Sequence, residues 1–271
     1  MVDEGRDHPR FARPPVEEVS LAAHVKPVPL GLLSLGSLAK AWEAEYPTIQ
    51  EMAPLAPLQE DLGQAGIRVE MLEQPPMPRI WYMSTQGDLM RQVQMDRFVQ
   101  NWRRVAADDD YPHYEGLLPQ FVTGFSDYEA TADSSGQAVL VTACEVTYTN
   151  PIRLVGAFQS LGSVQQVLAP WSGQFSNQYL PEPSSVSTAL RFAMGPTGPA
   201  GISGTLDVTA SPAVQATTAQ QVLLLQLTGR ARPTPGGPEG IRHVLEAAHE
   251  WVVCGFKSMT TPEMHQEWEE K

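Results

Sequence analysis

Residues 79–104, RIWYMSTQGDLMRQVQMDRFVQNWRR, place the strongest constraint on how this chain can fold. Their aromatic and β-branched residues favour a pleated strand, and they fall into two runs separated by residues 85–88, TQGD. A Gly-Asp pair between two such runs is a hairpin signal. The stretch therefore predicts two strands joined by a tight turn, and it is the central hairpin of the first half of the chain.

Apolar periodicity predicts further elements on both sides of this hairpin. Alternating apolar residues indicate strands at 19–25, 137–150, 188–194, 202–210 and 221–228, with a weaker strand at 67–72. Helical spacing indicates helices at 32–46, 113–128, 158–168 and 239–258, and the order Thr-Pro-Glu at 261–263 opens a short helix over 262–268. Each half then has the order strand, helix, three strands, helix.

This order predicts an α+β fold, because helices alternate with runs of consecutive, short-linked strands. We expect two pattern-repeated β-α-β-β-β-α halves, residues 16–135 and 136–271, that together form one compact unit. Their strands are expected to build one curved antiparallel sheet with helices on one face, similar to TATA-binding-protein-like or helix-grip folds. Residues 1–15, which are polar and end in Pro14-Pro15, are expected to form a flexible arm.

The charge balance bears on the kind of partner. The chain has 18 basic and 31 acidic side chains, a net charge of −13. Nucleic-acid binding depends on neutralising phosphates, so nucleic acid is disfavoured as a partner. An acidic surface that meets a basic protein has better electrostatic support.

The two cysteines and the apolar runs indicate the cellular compartment of the protein. Cys144 and Cys254 are too few for a disulfide framework or a four-cysteine zinc site, so we expect buried, reduced thiols. The N-terminus lacks the apolar core of a signal peptide, and the run at 222–227 is far too short to cross a bilayer. These features predict a soluble, cytoplasmic protein without a membrane partner.

Four segments carry a resemblance to a known family. They are residues 13–19 (RPPVEEV), 89–103 (LMRQVQMDRFVQNWR), 144–152 (CEVTYTNPI) and the C-terminal stretch 249–264. Through these segments, which run nearly from end to end, the chain resembles a sporadically distributed bacterial family of uncharacterised proteins. The resemblance implies a shared fold and carries no activity, cofactor or catalytic residue with it.

The second strand of the hairpin supplies most candidate binding residues. As one continuous strand, it places one set on a single face: Met90, Gln92, Gln94, Asp96, Phe98, Gln100 and Trp102. One interpretation is a ligand or partner surface on an open sheet face. The other is a central strand whose polar side chains are hydrogen-bonded to neighbouring strands. The candidate binding residues are Tyr82, Gln92, Gln94, Asp96, Arg97, Trp102 and Tyr148.

Patterns for catalysis and metal binding are incomplete. Glu246 and His249 have the spacing of a carboxylate–histidine metal pair, but a second such motif is missing, which favours a solvated helix face. Ser160 lacks the first glycine of a nucleophile elbow. The acidic run at 108–110 is interpreted as a solvated turn before a helix. We therefore expect no catalytic residue, no metal and no cofactor.

Three functions follow from these patterns. The first is a non-enzymatic binding module of unknown protein partner, which recognises a macromolecule through the open sheet face or the acidic surface. The alternative is a small-molecule pocket, with or without catalytic activity, between the curved sheet and the C-terminal helix, lined by Tyr82, Arg97, Trp102 and Tyr148. A third and weaker hypothesis is nucleic-acid binding through the arginines of the hairpin. The sequence predicts no oligomeric state.

Overall fold

The structure, a computed structural model, describes residues 8–58, 77–106, 109–133, 138–156, 158–174, 179–197, 201–215, 218–233 and 237–271. Within these ranges the strands are β1 (Glu18–Val25), β2 (Thr48–Met52), β3 (Arg79–Met83), β4 (Leu89–Gln94), β5 (Arg97–Arg103), β6 (Val141–Arg153), β7 (Thr188–Thr197), β8 (Ile202–Val214) and β9 (Gln221–Ala231). The α-helices are α1 (Leu32–Trp42), α2 (His113–Asp133), α3 (Pro238–Met259) and α4 (Pro262–Glu267).

The nine strands form one antiparallel open sheet packed against helices, in the order β2-β3-β4-β5-β1-β6-β9-β8-β7. This confirms the predicted α+β class and the single antiparallel sheet. The chain divides into two compact units. We call Ser20–Cys144 the meander unit, and Met1–Val19 with Glu145–Lys271 the C-terminal unit.

The predicted element order is found in the second half and not in the first. β7, β8, β9, α3 and α4 begin within one residue of their predicted starts, and the predicted helix at 158–168 shrinks to one 3-10 turn, Val164–Gln166. The first half has four strands after α1 instead of three. One of them, β2, is short and largely exposed, so it lacks the alternation that marks a strand. The weak strand predicted at 67–72 lies outside the described residues.

Aromatic packing against α1 and α2 forms the core of the meander unit. Phe98 is fully buried, and its ring centroid lies 5.5 Å from Phe121 and 6.0 Å from Tyr128, both on α2. Trp42, on α1, packs edge-on against Tyr82 of β3 at 5.0 Å. Burying one such ring stabilises the fold by about 1.5–3 kcal/mol. These contacts place the even-numbered residues of β5 on the side of the sheet that faces the helices.

Close backbone approach determines how α3 sits on the sheet of the C-terminal unit, whose strand order is β6-β9-β8-β7. A Cβ atom added at Gly229 of β9 would lie 2.7 Å from the carbonyl oxygen of Ala248 on α3. One added at Gly255 of α3 would lie 2.6 Å from a methyl group of Leu206 on β8. Glycine at both positions lets α3 pack directly on β8 and β9.

The described part of the predicted N-terminal arm pairs with the last residues of the chain. Phe11 and Glu270 form an antiparallel bridge, and the amides of Ala12 and Arg13 donate to carbonyls of residues 269 and 268 at 3.0 Å. The ring of Phe11 packs 5.7 Å from Phe256. Residues 10–13 are therefore held by α3 and the C-terminal segment.

Candidate functional site

A two-residue turn at Met95 and Asp96 decides which side chains of the meander share a face. β4 and β5 pair antiparallel, with Gln92 opposite Val99. Residues opposite each other in an antiparallel pair lie on the same face, so even-numbered residues of β4 share a face with odd-numbered residues of β5. The prediction of one continuous second strand, with Gln92 and Trp102 on the same face, is therefore wrong.

Gln92 is the centre of a hydrogen-bonded cluster on the face away from α1 and α2. Its side-chain oxygen accepts from Arg79 Nη1 at 2.9 Å and from Trp81 Nε1 at 3.0 Å. Its Nε2 donates to Asn101 Oδ1 at 2.7 Å. Gln92 and Asn101 are both buried. The cluster joins β3, β4 and β5, so these polar groups form their hydrogen bonds with one another within the sheet.

Gln94, Asp96 and Arg97 form a second polar cluster at the turn between β4 and β5. The Gln94 amide accepts from the backbone N–H of Leu55 at 2.9 Å and donates to its carbonyl at 3.0 Å. Arg97 donates to both carboxylate oxygens of Asp96 at 3.0 and 2.9 Å, and to the carbonyl of Ala56 at 2.6 Å. These bonds fasten residues 55–56 across the sheet face, so the face predicted to be open is covered there.

Arg79 also lies near the cluster on this covered face, and its pKa is lowered. Burial, with a smaller contribution from the positive charge of Arg97, lowers the pKa of Arg79. The guanidinium carbon of Arg79 lies 5.2 Å from the ring centroid of Trp81. A guanidinium remains charged at neutral pH, so it does not act as an acid or a base there. The arrangement around Gln92 is therefore that of a structural hydrogen-bond network and not that of a catalytic centre.

Tyr82 and Trp102, both predicted to be binding residues, lie on the helix side of the meander. The Tyr82 hydroxyl donates to the carbonyl of Leu35 on α1 at 3.0 Å, and burial raises the pKa of that hydroxyl. The Trp102 ring packs 5.0 Å from Tyr111, and the guanidinium carbon of Arg104 lies 5.5 Å from it. Both side chains are therefore core residues and are separated from Gln92 by the thickness of the sheet.

Arg91, which the sequence groups with the other arginines of the hairpin as a possible basic patch, is buried on the same helix side. The Arg91 side chain is 3% exposed, and its guanidinium carbon sits 4.7 Å from the Trp42 ring and 4.5 Å from the Tyr46 ring. Its Nε donates to Gln100 at 3.3 Å, while the Glu45 carboxylate is 3.9 Å away and exposed. The cation is held mainly by aromatic faces. The only feature of the sequence that points to this contact is the spacing of Trp42 and Tyr46, which lie one helical turn apart in the segment that follows Pro27 and Pro29.

Tyr148 lies in the C-terminal unit and contributes to a different environment. Its ring is 5.9 Å from the ring of His249 on α3, and His8 lies 5.7 Å from His249 on another side. Burial, with a smaller contribution from His8, lowers the pKa of His249 to about 3. The seven predicted binding residues thus fall into four separate environments: the Gln92 cluster, the cluster at the β4–β5 turn, the helix side of the meander, and the surroundings of His249.

The proposed carboxylate–histidine pair does not assemble. His249 packs against the rings of Tyr148 and His8, whereas Glu246 accepts a hydrogen bond from Arg242 at 2.9 Å on the exposed side of α3. The prediction that this pair lies on one solvated helix face is wrong for His249, because the helix turns that ring inward. The described residues contain no group of three or more metal-ligating side chains.

Cys144 and Asp109 behave as structural residues. Cys144 is buried, and burial raises the pKa of its thiol to about 12, which keeps it protonated at neutral pH. Cys254 is only partly buried. The Asp109 carboxylate accepts from the backbone amides of Val105 and Ala106 at 2.8 and 2.7 Å, which lowers its pKa. Asp109 therefore closes a turn ahead of α2.

Within the described residues, α3 is the helix that packs closely on the sheet of the C-terminal unit, and it packs on one side of that sheet. We call the side of β6, β9, β8 and β7 opposite α3 the open face. Gly229 and Leu206 contact α3, so Arg230 and Asp207, one residue further along, point to the open face. Sequence reasoning missed this face, although polar residues alternate along β8 and β9.

Four charged side chains cross the open face, one from each strand: Glu145, Arg230, Asp207 and Arg191. We call them the charge row. Arg191 bonds both carboxylate oxygens of Asp207 at 2.5 and 2.8 Å, and Arg230 bonds Glu145 at 2.6 and 2.8 Å. Arg230 also lies 3.8 Å from Asp207, which links the two pairs. The row is neutral and geometrically fixed, while its side chains remain 19–31% exposed.

Hydroxyl and amide groups surround the charge row. Thr147 and Thr228 share a hydrogen bond of 3.0 Å between β6 and β9, and Gln226 donates to Thr149 at 3.5 Å. Thr209, further along β8, is exposed. The open face therefore offers short hydroxyls, an amide and charges of both signs on a regular frame.

No family model matches the chain, and no curated protein matches it. The family resemblance read from the sequence thus stays a prediction. Within the described ranges, no helix has both the length and the apolar character needed to span a membrane.

Proposed function

We propose that the protein is a non-enzymatic binding module that recognises a macromolecular partner, a protein, through the open face of the C-terminal unit. The charge row carries this proposal. Its four side chains are held by one another and still reach solvent. Charges fixed before binding lose little conformational freedom when a partner docks, and they select partners by electrostatic complementarity.

The chemistry of the face defines the kind of partner. Two carboxylates and two guanidiniums balance, so the face lacks the positive excess that phosphate groups require. Thr149, Gln226 and Thr209 supply hydroxyl and amide groups beside the row. We infer a polar protein surface with charges of both signs as the partner. The net charge of −13 favours a partner that is basic outside the contact.

The alternative, a small-molecule pocket between the sheet and the C-terminal helix, has less support. The approach of Gly229 to Ala248, and of Gly255 to Leu206, brings α3 into direct contact with β8 and β9. Tyr82, Arg97 and Trp102 belong to the meander unit, whereas α3, β8 and β9 belong to the C-terminal unit. A cytoplasmic location and the analogy with TATA-binding-protein-like or helix-grip folds both remain proposals.

The test adds bulk to the open face without breaking its hydrogen bonds. Thr209→Arg places a long side chain beside the charge row, and Ser37→Arg makes a comparable change at an exposed position of α1. Affinity capture from the native host, quantified by mass spectrometry, should recover a protein with the wild type and with Ser37→Arg. Thr209→Arg should lose it.

Two results would contradict the proposal. The first is equal capture by the wild type and Thr209→Arg. The second is substrate turnover by the purified protein that is abolished by a single substitution away from the open face.

A further inference from the structure

The two edge strands of the sheet, β2 and β7, differ in how they are protected from pairing with other strands. β2 has five residues, follows Pro47, and carries the exposed Glu51. Natural proteins protect sheet edges by short length, charge and proline, and β2 shows all three. β7 has ten residues, and its proline and its register shift are confined to residues 194–197. Residues 188–194 of β7 therefore form a regular edge.

The β7 edge also exposes apolar side chains. Leu190 and Phe192 are 40% and 39% exposed, and they lie opposite Val208 and Leu206 on the side of the sheet that α3 covers. Among the described residues, β8 is the only strand next to β7. Within the described part of the chain, no strand pairs with the outer backbone amides and carbonyls of residues 188–194. A regular apolar edge of this kind is a template for another strand.

We propose that β7 pairs antiparallel with β7 of a second copy of this chain, so that the protein is a homodimer through this edge. Charge favours a second copy as the occupant. β7 and β8 carry one basic and one acidic residue, Arg191 and Asp207, which bond each other. None of the 13 excess negative charges lies on these two strands, so two copies meet here without net repulsion.

The side chains of β7 select one register for this pairing. In a two-fold antiparallel pair, the residue on the axis lies opposite itself. An axis at Arg191 would place the two Arg191 guanidiniums opposite each other. An axis at Leu190 would place Phe192 of one copy opposite Thr188 of the other. An axis at Phe192 opposes Phe192 to itself, Leu190 to Met194, and Arg191 to the small Ala193. This register gives apolar contacts on the helix side and room for Arg191 on the open face.

The dimer does not depend on the proposed function. It would place two charge rows side by side in a surface that is still neutral. A partner captured through the open face and a dimer measured with purified protein are independent results, so either can fail alone.

The first experiment measures mass. Analytical ultracentrifugation of the full chain should give a dimer at micromolar concentration, and Phe192→Lys should weaken its apparent dissociation constant by about tenfold or more. Ile49→Lys is the matched control, because Ile49 is a 50% exposed apolar residue on the other edge strand. It should leave the mass unchanged. Thermal melts should show that both variants fold.

The second experiment tests the register by oxidative cross-linking, in a background where Cys254 is replaced by Ala. Phe192→Cys should form a disulfide-linked dimer, since the two copies of this residue face each other across the axis. Val214→Cys, which is more exposed at 63% but lies at the end of β8, should not. A wild-type monomer at every concentration would overturn the proposal and assign the edge to a strand of another protein. A dimer unaffected by Phe192→Lys would also overturn it.

Discussion

Gln92 on β4 donates a 2.7 Å hydrogen bond to Asn101 on β5, and both side chains are buried within the sheet. The oxygen of the same Gln92 accepts from Arg79 and Trp81. One amide therefore bonds three neighbours, of which Asn101 is buried and Arg79 and Trp81 are partly buried, and its removal would break all three hydrogen bonds.

Gln92→Leu should destabilise the protein by about 2–4 kcal/mol, because unsatisfied buried polar groups each cost about 1–3 kcal/mol. Gln50→Leu is the control, since Gln50, on β2, is the same type of residue and pairs with Trp81 of β3, but its side chain is exposed. Urea unfolding followed by circular dichroism gives both free energies. Equal values for the two variants would contradict a central role for Gln92.

Arg91→Lys should destabilise the meander unit by about 2–3 kcal/mol. The planar guanidinium stacks between Trp42 and Tyr46, whereas an ammonium is more strongly hydrated and does not stack. Arg242→Lys, at an exposed position of α3, should change stability by less than about 0.5 kcal/mol. Chemical unfolding of the two variants measures the difference, and a cost at Arg91 as small as that at Arg242 would refute the stacking account.

Gly229→Ala and Gly36→Ala should have effects of opposite sign. A methyl group at Gly229 meets the backbone of Ala248 and forces α3 away from β9, at a cost of about 1–3 kcal/mol. At Gly36, inside α1, no atom lies within 4 Å of the new methyl group. There alanine should stabilise the helix by about 0.5–1 kcal/mol. Melting temperatures that fall together would show that α1 does not tolerate the change.

The stability of the protein should fall as pH is lowered from about 6.5 towards 3. Burial keeps His249 neutral in the folded state, with a pKa of about 3, against 6.5 for an ordinary histidine. Between these values the unfolded chain takes up a proton that the folded chain does not, so acid favours unfolding by about 1–3 kcal/mol.

His249→Gln should remove this contribution and flatten the pH dependence of the unfolding free energy. Among the described residues, His8 and Tyr148 have rings that face the imidazole, and His8→Gln separates the smaller charge effect from burial. Parallel curves for the wild type and His249→Gln over this pH range would refute the burial account.

Local patterns in the sequence predict the C-terminal half well. The apolar stripe that predicts α3 includes Ile241, Val244 and Leu245, which are all buried. The runs that became β7, β8 and β9 are separated by Gly- and Pro-rich or polar loops, and their starts are correct. Such features depend on residues close in sequence, and periodicity reports them directly.

The meander was harder to predict because its second turn lacks a sequence signal. Met95 and Asp96 both have negative φ. Two-residue hairpin turns are usually recognised by Gly or Asn, which adopt positive φ, and this turn needs neither. The assignment of Gln92, Gln94 and Trp102 to one face failed for that reason.

Interactions between distant residues account for the other omissions. The charge row unites Glu145, Arg191, Asp207 and Arg230, which span more than eighty positions of the chain. Their juxtaposition depends on the register of three strand pairs, which no single segment encodes. The stacking of Arg91 on Trp42 and Tyr46 likewise depends on how α1 docks on β4.

In relatives of this chain, we expect the two-residue length of the turn at Met95 and Asp96 to be conserved more strongly than the identity of its two residues. Replacing either residue is a local change. Inserting or deleting one residue in the turn would move each side chain of β5 to the opposite face of the sheet. Phe98 would then point away from α2, and Asn101 would point away from Gln92. The interval of nine positions between Gln92 and Asn101 should therefore persist where the identities of residues 95 and 96 have drifted.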